Sequence, residues 1–535
     1  MTSPSIQPVV AGQAGASGAE EGGAGRPGFD AGPRWMMALP PVVTFVIMLW
    51  GITGASYWRD EAATMSAAQR PLGSLLRTLG NIDAVHGAYY LIIWVMVRLG
   101  GTGELVTRLP SAVAMAGAAA AVAALGRRLI SPRAGLASGL VFAVLPEVSL
   151  YGQDARPYAM VVALATLASY LLVRAMDPAA NRARWLTGYA LCLAALGIMD
   201  IFGLLLIAAH AVTVGLPWLR EAASRGPGGA GGPSGAGGSG DARGQGGADR
   251  RADRSLVIGW LAAAVGGVAL ASPVLVLGYV QRGTLSWLGP PGLGTIRGLR
   301  QLIGPSTMAD VVILAIVGGV VVSAVVGRAR LRASWPGSVP ALCLPWLILP
   351  PAILLVASLA TPVYTLRYVL LCIPAIALLA GAGLASLGWV AGTAALAVIA
   401  VLGMPTQLSV RTADGHGDNV RQADRIVANN RRPGDAVLEF KAENFAQAYP
   451  YGISQLIPVA QAETPIQSAT LIGTFLPDPV VRQSLTRVWR VWVIEYGHST
   501  PLVILNGLHF RLVHAWRTSD IWLFLYAHPA ISDGG

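Results

Sequence analysis

The sequence predicts a polytopic α-helical membrane protein that ends in a small α/β domain. Three observations carry that prediction. Of the 535 residues, 54% are hydrophobic and only 12% charged, about half the charged share of a soluble domain, and the mean hydropathy is +0.57. Apolar runs long enough to cross a bilayer recur along most of the chain. After Gln407 those runs stop, and short strand-like and helix-like patterns take over. A cytosolic globular enzyme, a fibre and a wholly disordered chain are thereby excluded.

Residues 1–35 are rich in Gly, Ala, Ser and Pro and lack the basic stretch and cleavage site of a secretory signal, so a disordered cytoplasmic tail is expected. Residues 36–405 hold about eleven candidate crossings of bilayer length. They lie near 36–54, 109–126, 134–150, 157–175, 185–199, 201–219, 255–280, 309–327, 338–360, 366–384 and 387–405. The segment 86–99 has an apolar core of only about a dozen residues, too short to span comfortably. It is assigned to a helix lying on the membrane surface, inside a first external loop at 55–108.

The arginines fix the sidedness of this reading. With 86–99 kept out of the bilayer, Arg127, Arg128, Arg133, Arg182, Arg184, the arginines of 220–254 and Arg328, Arg330 and Arg332 share one side with the N-terminal tail. The positive-inside rule makes that side cytoplasmic. It also accounts for the net charge of +11, carried by arginine because Lys441 is the sole lysine. No nucleic-acid partner is therefore expected. Residues 220–254 are dominated by Gly and are expected to be a disordered cytoplasmic linker.

The end of the chain, 406–535, is expected to be an extracytoplasmic α/β domain. A helix is predicted over 419–430, a turn at Pro433-Gly434-Asp435, and strands at Ala436–Phe440, 488–496 and Ile521–Ala527. Cys192, Cys343 and Cys372 all lie in apolar runs without metal-ligand spacing and read as small core residues.

Ionisable residues near a membrane are costly, so their positions are informative. Four polar segments fall on one face in this topology: Tyr57 to Ala62, Asn81 to Tyr90, Tyr151 to Tyr158 and Tyr364 to Tyr368. Each has a structural reading. Asp60 and Glu61 suit the first turn of a loop helix, Asp154 and Arg156 an interfacial ion pair, and Arg367 a headgroup contact. His86 suits a hydrogen-bonded interface residue, and the tyrosines an aromatic belt. Their convergence favours acid–base chemistry on an anionic, lipid-linked substrate.

The order of these motifs resembles the GT-C superfamily of integral-membrane glycosyltransferases. Asp60-Glu61 follows the first crossing, Asp83-x-x-His86 leads into the surface helix, and Arg108-Leu-Pro-Ser111 opens the next crossing. The likeness is to the protein O-mannosyltransferase and aminoarabinose-transferase branch, with its lipopolysaccharide-core transferases. Asp154, the Arg367-Tyr368 pair and Arg432 to Leu438 are similar too, so it runs over 36–440. Two departures stand out: His86-Gly87-Ala88 where the family often has His-Pro-Pro, and Asp200 where many relatives place a polar residue or histidine.

The resemblance implies inverting transfer of a sugar from a polyprenyl-phosphate donor to a glycan, lipid or protein acceptor. The setting would be the outer face of a bacterial cytoplasmic membrane. Asp60 would be the general base, with Glu61 as its catalytic neighbour. Arg367, Arg156 and Tyr368 would hold the donor phosphate. His86, Asp83, Tyr89, Tyr151 and Asp154 would line the donor or acceptor pocket. A divalent metal on Asp154, Glu61 and His86 is a second way to supply positive charge. Partial burial is expected to raise the Asp60 pKa towards that of a useful base.

Two other classes remain at this stage. A transporter or flippase of lipid-linked sugars should show interrupted helices and polar residues at mid-membrane, whereas here the ionisable residues gather at span ends and no matched pair of interrupted helices is visible. A binding protein working through its outer domain would draw on His498, His509, His514 and His528, whose spacing fits no standard metal motif.

Overall fold

The computed structural model describes residues 33–177, 180–223, 240–330, 338–440, 444–496, 505 and 507–528. The expected N-terminal tail lies almost wholly outside the described residues, as do His498 and the middle of the Gly-rich linker.

Helix α1 (Trp35–Leu49) leads into a loop that holds three helices, α2 (Arg59–Ala68), α3 (Leu72–Asn81) and α4 (Gly87–Gly100). The bundle continues with α5 (Glu104–Leu129), α6 (Pro132–Val144), α7 (Pro146–Gly152), α8 (Tyr158–Ala175), α9 (Arg182–Met199) and α10 (Leu206–Ala223). It closes with α11 (Gly240–Val280), α12 (Leu293–Gly298), α13 (Ser306–Arg330), α14 (Val339–Ala357), α15 (Ile373–Ser386) and α16 (Gly388–Val410). Every expected crossing falls on helix. Among the described residues, six helices are long and apolar enough to cross a membrane, or eight if each of two bent pairs is one span. The segments Trp35–Leu49, Ala84–Gly100 and Ile201–Gly215 are apolar but shorter. The protein is a multi-pass membrane protein, and helix length alone does not reach the expected count of about eleven.

The bundle differs from expectation in its helix breaks and in the extent of one helix. Helices α6 and α7 bend by 64° where Pro146 removes a backbone donor, and Leu293–Leu302 bends by 73° against Ser306–Gly318. Interrupted helices are therefore present. Their breaks abut, since a Cβ built on Gly304 (φ +131°) would lie 3.4 Å from Pro146. Helix α11 also begins at Gly240, inside the expected disordered linker. Extending an apolar helix adds one hydrogen bond per residue fixed, which is far cheaper than nucleating a new one.

The centre of the bundle is α15, buried at every position from Ile373 to Leu384. Gly381 makes that possible: a Cβ there would come within 2.4 Å of the Ser138 backbone in α6, the close approach that small residues permit between membrane helices. Just before α15, Leu366–Cys372 is a 3-10 helix rather than the expected α-helical start. It presents Arg367 and Tyr368 to a cavity at one end of the bundle.

The C-terminal domain opens with α17 (Val420–Asn430), capped by Asn419, whose side chain accepts from the Gln422 N–H. Its strands are β1 (Ala436–Phe440), β2 (Ile457–Pro458), β3 (Gln461–Glu463), β4 (Thr474–Phe475), β5 (Arg490–Tyr496), β6 (Arg511–Thr518) and β7 (Ile521–Ala527). The main sheet runs β2-β1-β5-β7-β6, with β2, β1 and β5 parallel and β7 and β6 antiparallel to their neighbours. Strand β6 was not expected from the sequence. It is exposed along most of its length, so the in–out alternation that marks a half-buried strand is absent.

This domain is joined tightly to the loop after α1. The Tyr57 N–H donates to Tyr449 Oη at 3.0 Å, and Tyr449 donates to Glu104 at 2.7 Å. Arg421 reaches Glu104 at 2.7 Å and the Thr53 and Ala55 carbonyls at 3.0 Å each. Asp418 accepts the Arg59 N–H at 2.9 Å, one residue before Asp60. The C-terminal domain thus helps to set where α2 starts.

Candidate active site

The cavity beside Arg367 has a volume of about 450 Å³. It brings together Asp60, Asp83, His86, Arg156, Arg367 and Tyr368, six of the side chains that the sequence singled out. They come from α2, the turn before α4, the loop between α7 and α8, and the 3-10 turn before α15.

Asp60 sits in the first turn of α2. Its Oδ2 accepts from Arg367 Nη1 at 2.6 Å, and Arg59 Nε lies 3.9 Å from its Oδ1. Arg156 Nη1 reaches the Asp60 backbone carbonyl at 3.5 Å. Burial works to raise the Asp60 carboxyl, but Arg156, Arg367, Arg59 and His86 outweigh it and hold the group below its usual range. That reverses the expectation that partial burial makes Asp60 more basic: an opposite charge within a few ångströms favours the ionised form.

Arg156 is oriented from behind. Asp83 Oδ1 lies 2.6 Å from His86 Nδ1, and His86 Nε2 lies 2.9 Å from Arg156 Nη2. Because a guanidinium only donates, Nε2 is the acceptor and Nδ1 carries the proton given to Asp83. Tyr90 donates to the other Asp83 oxygen, and its Oη accepts from Arg156 at 3.4 Å. Burial raises the Asp83 carboxyl, and His86, Arg156 and Tyr90 more than offset it, holding the group well below the usual range. His86 is thus a link in a chain from Asp83 to Arg156.

Both guanidiniums keep unused capacity. The Nε–H groups of Arg156 and Arg367 are buried without a hydrogen-bond partner. Trp287 stacks at the rim, 5.2 Å from the Arg367 guanidinium. Asp200 also lines the cavity, where burial pushes its carboxyl up to about 6.

The other four expected residues lie elsewhere. Tyr89 is buried against Ser111 at 3.1 Å, and Tyr151 packs edge-on to Tyr158. Glu61 turns away from the cavity. Its Oε1 accepts from Arg108 Nε at 2.8 Å and from the Ala155 N–H at 2.8 Å, while Oε2 accepts from Arg108 Nη2 at 2.7 Å. It also caps α2, taking the Trp58 N–H at 3.4 Å. These are the contacts that the N-terminal-turn reading of Glu61 expects. Asp154 forms no ion pair with Arg156 among the described residues and accepts from Trp58 Nε1 at 3.0 Å.

A possible metal cluster exists, but with different members. Ligand atoms of Glu61, Asp154 and His416 lie within 4.8 Å of one another. His86, the expected third ligand, is not among them, because it is bonded to Asp83 and Arg156. His416 was missed in the sequence: it lies alone in the connection after α16, and only the packing of the C-terminal domain brings it here. Neither of its ring nitrogens has a hydrogen-bond partner, and Nδ1 is 3.8 Å from Glu61 Oε2. The donor set nevertheless does not fit a divalent ion well. Arg108 already neutralises Glu61 with two charge-assisted bonds, and its guanidinium would repel a second cation at the same oxygens.

Residues 87–222 match the family model described as dolichyl-phosphate-mannose-protein mannosyltransferase. A crystal structure of ArnT from Cupriavidus metallidurans in the apo state is similar at 15% identity and a TM-score of 0.59, covering 92% of this chain and 97% of that one. The chain shares the fold of that ArnT. The same ArnT bound to undecaprenyl phosphate matches at 14% identity and a TM-score of 0.55, with the same coverage. The Archaeoglobus fulgidus oligosaccharyltransferase in complex with Zn and sulfate lies further off, at 12% identity and a TM-score of 0.47, covering 86% of this chain and 67% of that one. No curated protein matches the sequence. The GT-C resemblance read from Asp60-Glu61, Asp83-x-x-His86 and Arg108-Leu-Pro-Ser111 is thus borne out.

Proposed function

We propose that this GT-C protein transfers a sugar from a polyprenyl-phosphate donor to an acceptor hydroxyl, with inversion at the anomeric carbon. The acceptor oxygen attacks C1 and its proton passes to the Asp60 carboxylate. The bond from C1 to the phosphate oxygen breaks, and its electron pair leaves with polyprenyl phosphate. Arg367 and Arg156 receive that phosphate, because a guanidinium can meet two oxygens of one anion at once. The observation that carries this reading is the Asp60 carboxylate, paired to Arg367 at a cavity that Arg156 also lines, with a buried N–H of each guanidinium left without a hydrogen-bond partner.

The family model and the undecaprenyl phosphate bound to ArnT support a lipid phosphate as the ligand class. The clustering of arginines on one side of the sequence supports a site on the extracytoplasmic face of a bacterial cytoplasmic membrane, with the C-terminal domain on that face too. The acceptor is a glycan, a lipid or a protein.

The direct test is an assay of purified protein against a panel of radiolabelled polyprenyl-phosphate sugars, read as donor consumption and glycoside formation. Arg367→Gln is expected to lower kcat/KM by about 10²–10³, the range seen when one stabiliser of developing negative charge is removed. Turnover is expected to survive chelation by EDTA, since Arg108 holds Glu61. Activity lost to the chelator and restored by one divalent ion would reinstate a metal. The two abutting helix breaks keep a flippase as the second reading. Vesicles that move lipid-linked sugar while no glycoside forms would favour it.

A further inference from the structure

We infer that Asp60 and the phosphate of the donor lipid compete for the positive charge of Arg367, so that lipid binding itself loosens the ion pair and leaves the carboxylate a stronger base. This rests on the proposed reading of Arg367 as the phosphate anchor. Among the described residues, the Arg367 guanidinium makes one hydrogen bond, from Nη1 to Asp60 Oδ2 at 2.6 Å. That ion pair stabilises the carboxylate in its charged form, so Asp60 is a weaker base while Arg367 is its counter-ion and a stronger one once Arg367 turns to another anion.

The neighbouring anion is not in the contest. Asp83 is committed to His86 at 2.6 Å and to Tyr90, and reaches Arg156 only through these two side chains. Arg156 is held by His86 and Tyr90 while its buried Nε–H stays unpartnered, and the Arg367 Nε–H is unpartnered as well. A carboxylate satisfies one corner of this pair. A phosphate, with more oxygens and more charge, can meet both guanidiniums and so displaces it. Arg59, stacked on Tyr496 with its guanidinium 4.5 Å from the ring centroid, remains near Asp60 Oδ1 when Arg367 turns to the phosphate. The donor lipid would thus bind first, and the base would come into play afterwards.

The consequence runs against intuition. When a site is competent only part of the time, its apparent affinity falls by the competent fraction. Deleting the internal competitor should therefore tighten the complex, even though the variant cannot catalyse transfer. The test is binding of undecaprenyl phosphate to the full chain in nanodiscs, for wild type, Asp60→Asn, Arg367→Gln and the double variant. Asp60→Asn is expected to bind about tenfold more tightly, as if a competent fraction of about a tenth had risen to one. Arg367→Gln is expected to bind more weakly, and the double variant no more tightly than Arg367→Gln. Asp60→Ala serves as a second probe if the Asn variant is unstable. Unchanged or weaker binding in a folded Asp60 variant overturns the competition. If Arg367→Gln binds as well as wild type, the anchor reading itself falls; if it weakens while Asp60→Asn does not tighten, only the competition falls.

Discussion

Asp60→Asn is expected to lower kcat by about 10²–10⁴, the usual contribution of a positioned general base, while the protein stays inserted and folded. The amide cannot take the acceptor proton, yet it keeps the size of the carboxyl. Few structural contacts depend on the lost charge. The Asp60 backbone carbonyl accepts from Thr64 and Arg156 regardless of the side chain. Arg367 remains near the rings of Trp58, Tyr158 and Trp287, which favour a guanidinium over their faces. Burial works to raise the Asp60 carboxyl, but three guanidiniums, of Arg156, Arg367 and Arg59, hold it low, so the acid limb of kcat/KM, which reports the free enzyme, should fall below the ordinary carboxylate range. Rates of glycoside formation across pH check both points. Full turnover in the Asn variant removes Asp60 from the chemistry.

Substitution of Arg108 by Leu is expected to cost about 3–5 kcal/mol of stability, because it leaves the Glu61 charge buried without its partner. Both side chains are fully buried. Arg108 uses every N–H it has: two on Glu61, two on the carbonyls of Ile52 and Ala55 at 2.8 and 3.0 Å, and one on Ser56 at 3.1 Å. It is the peg that fixes α5 to the loop after α1 and to α2, one residue from the candidate base. Glu61→Gln should lose much of the same stability. The double replacement by two leucines should lose less than the sum, since neither charge is then left alone.

The pH dependence has a definite sign. Burial raises the Glu61 carboxyl, but Arg108 outweighs it and depresses the group. Its contribution is therefore complete above the unfolded value and is lost as pH falls through the lower folded value. Unfolding midpoints of purified protein against pH, for wild type and Glu61→Gln, test this. Equal acid sensitivity in both would show that the pair is not what protects the fold.

These two predictions separate residues that are adjacent in the chain. In the sequence, Asp60-Glu61 is one acidic motif, and nothing local says which member faces a substrate. The structure divides them because successive helical residues point about 100° apart. One turns to the cavity, and the other turns to Arg108. The same limit applies to Arg108 itself, visible in its motif but silent about its five bonds, and to His416, a lone histidine until the C-terminal domain packs. Tyr90 and Trp287 were equally out of reach, since an aromatic at an interface looks the same whether it lines a cavity or a belt.

What the sequence determined by itself is what depends on near neighbours: which segments are apolar enough to enter lipid, where helices lie, the strands Ala436–Phe440 and Ile521–Ala527, and the set of polar segments from which the site is drawn. Those follow from composition, period and local propensity. The exposed strand β6, the two abutting breaks and the pairing of Asp60 with Arg367 were decided only by tertiary structure. The last of these joins positions 307 residues apart, and no local pattern encodes a contact that exists only once the helices between them have packed.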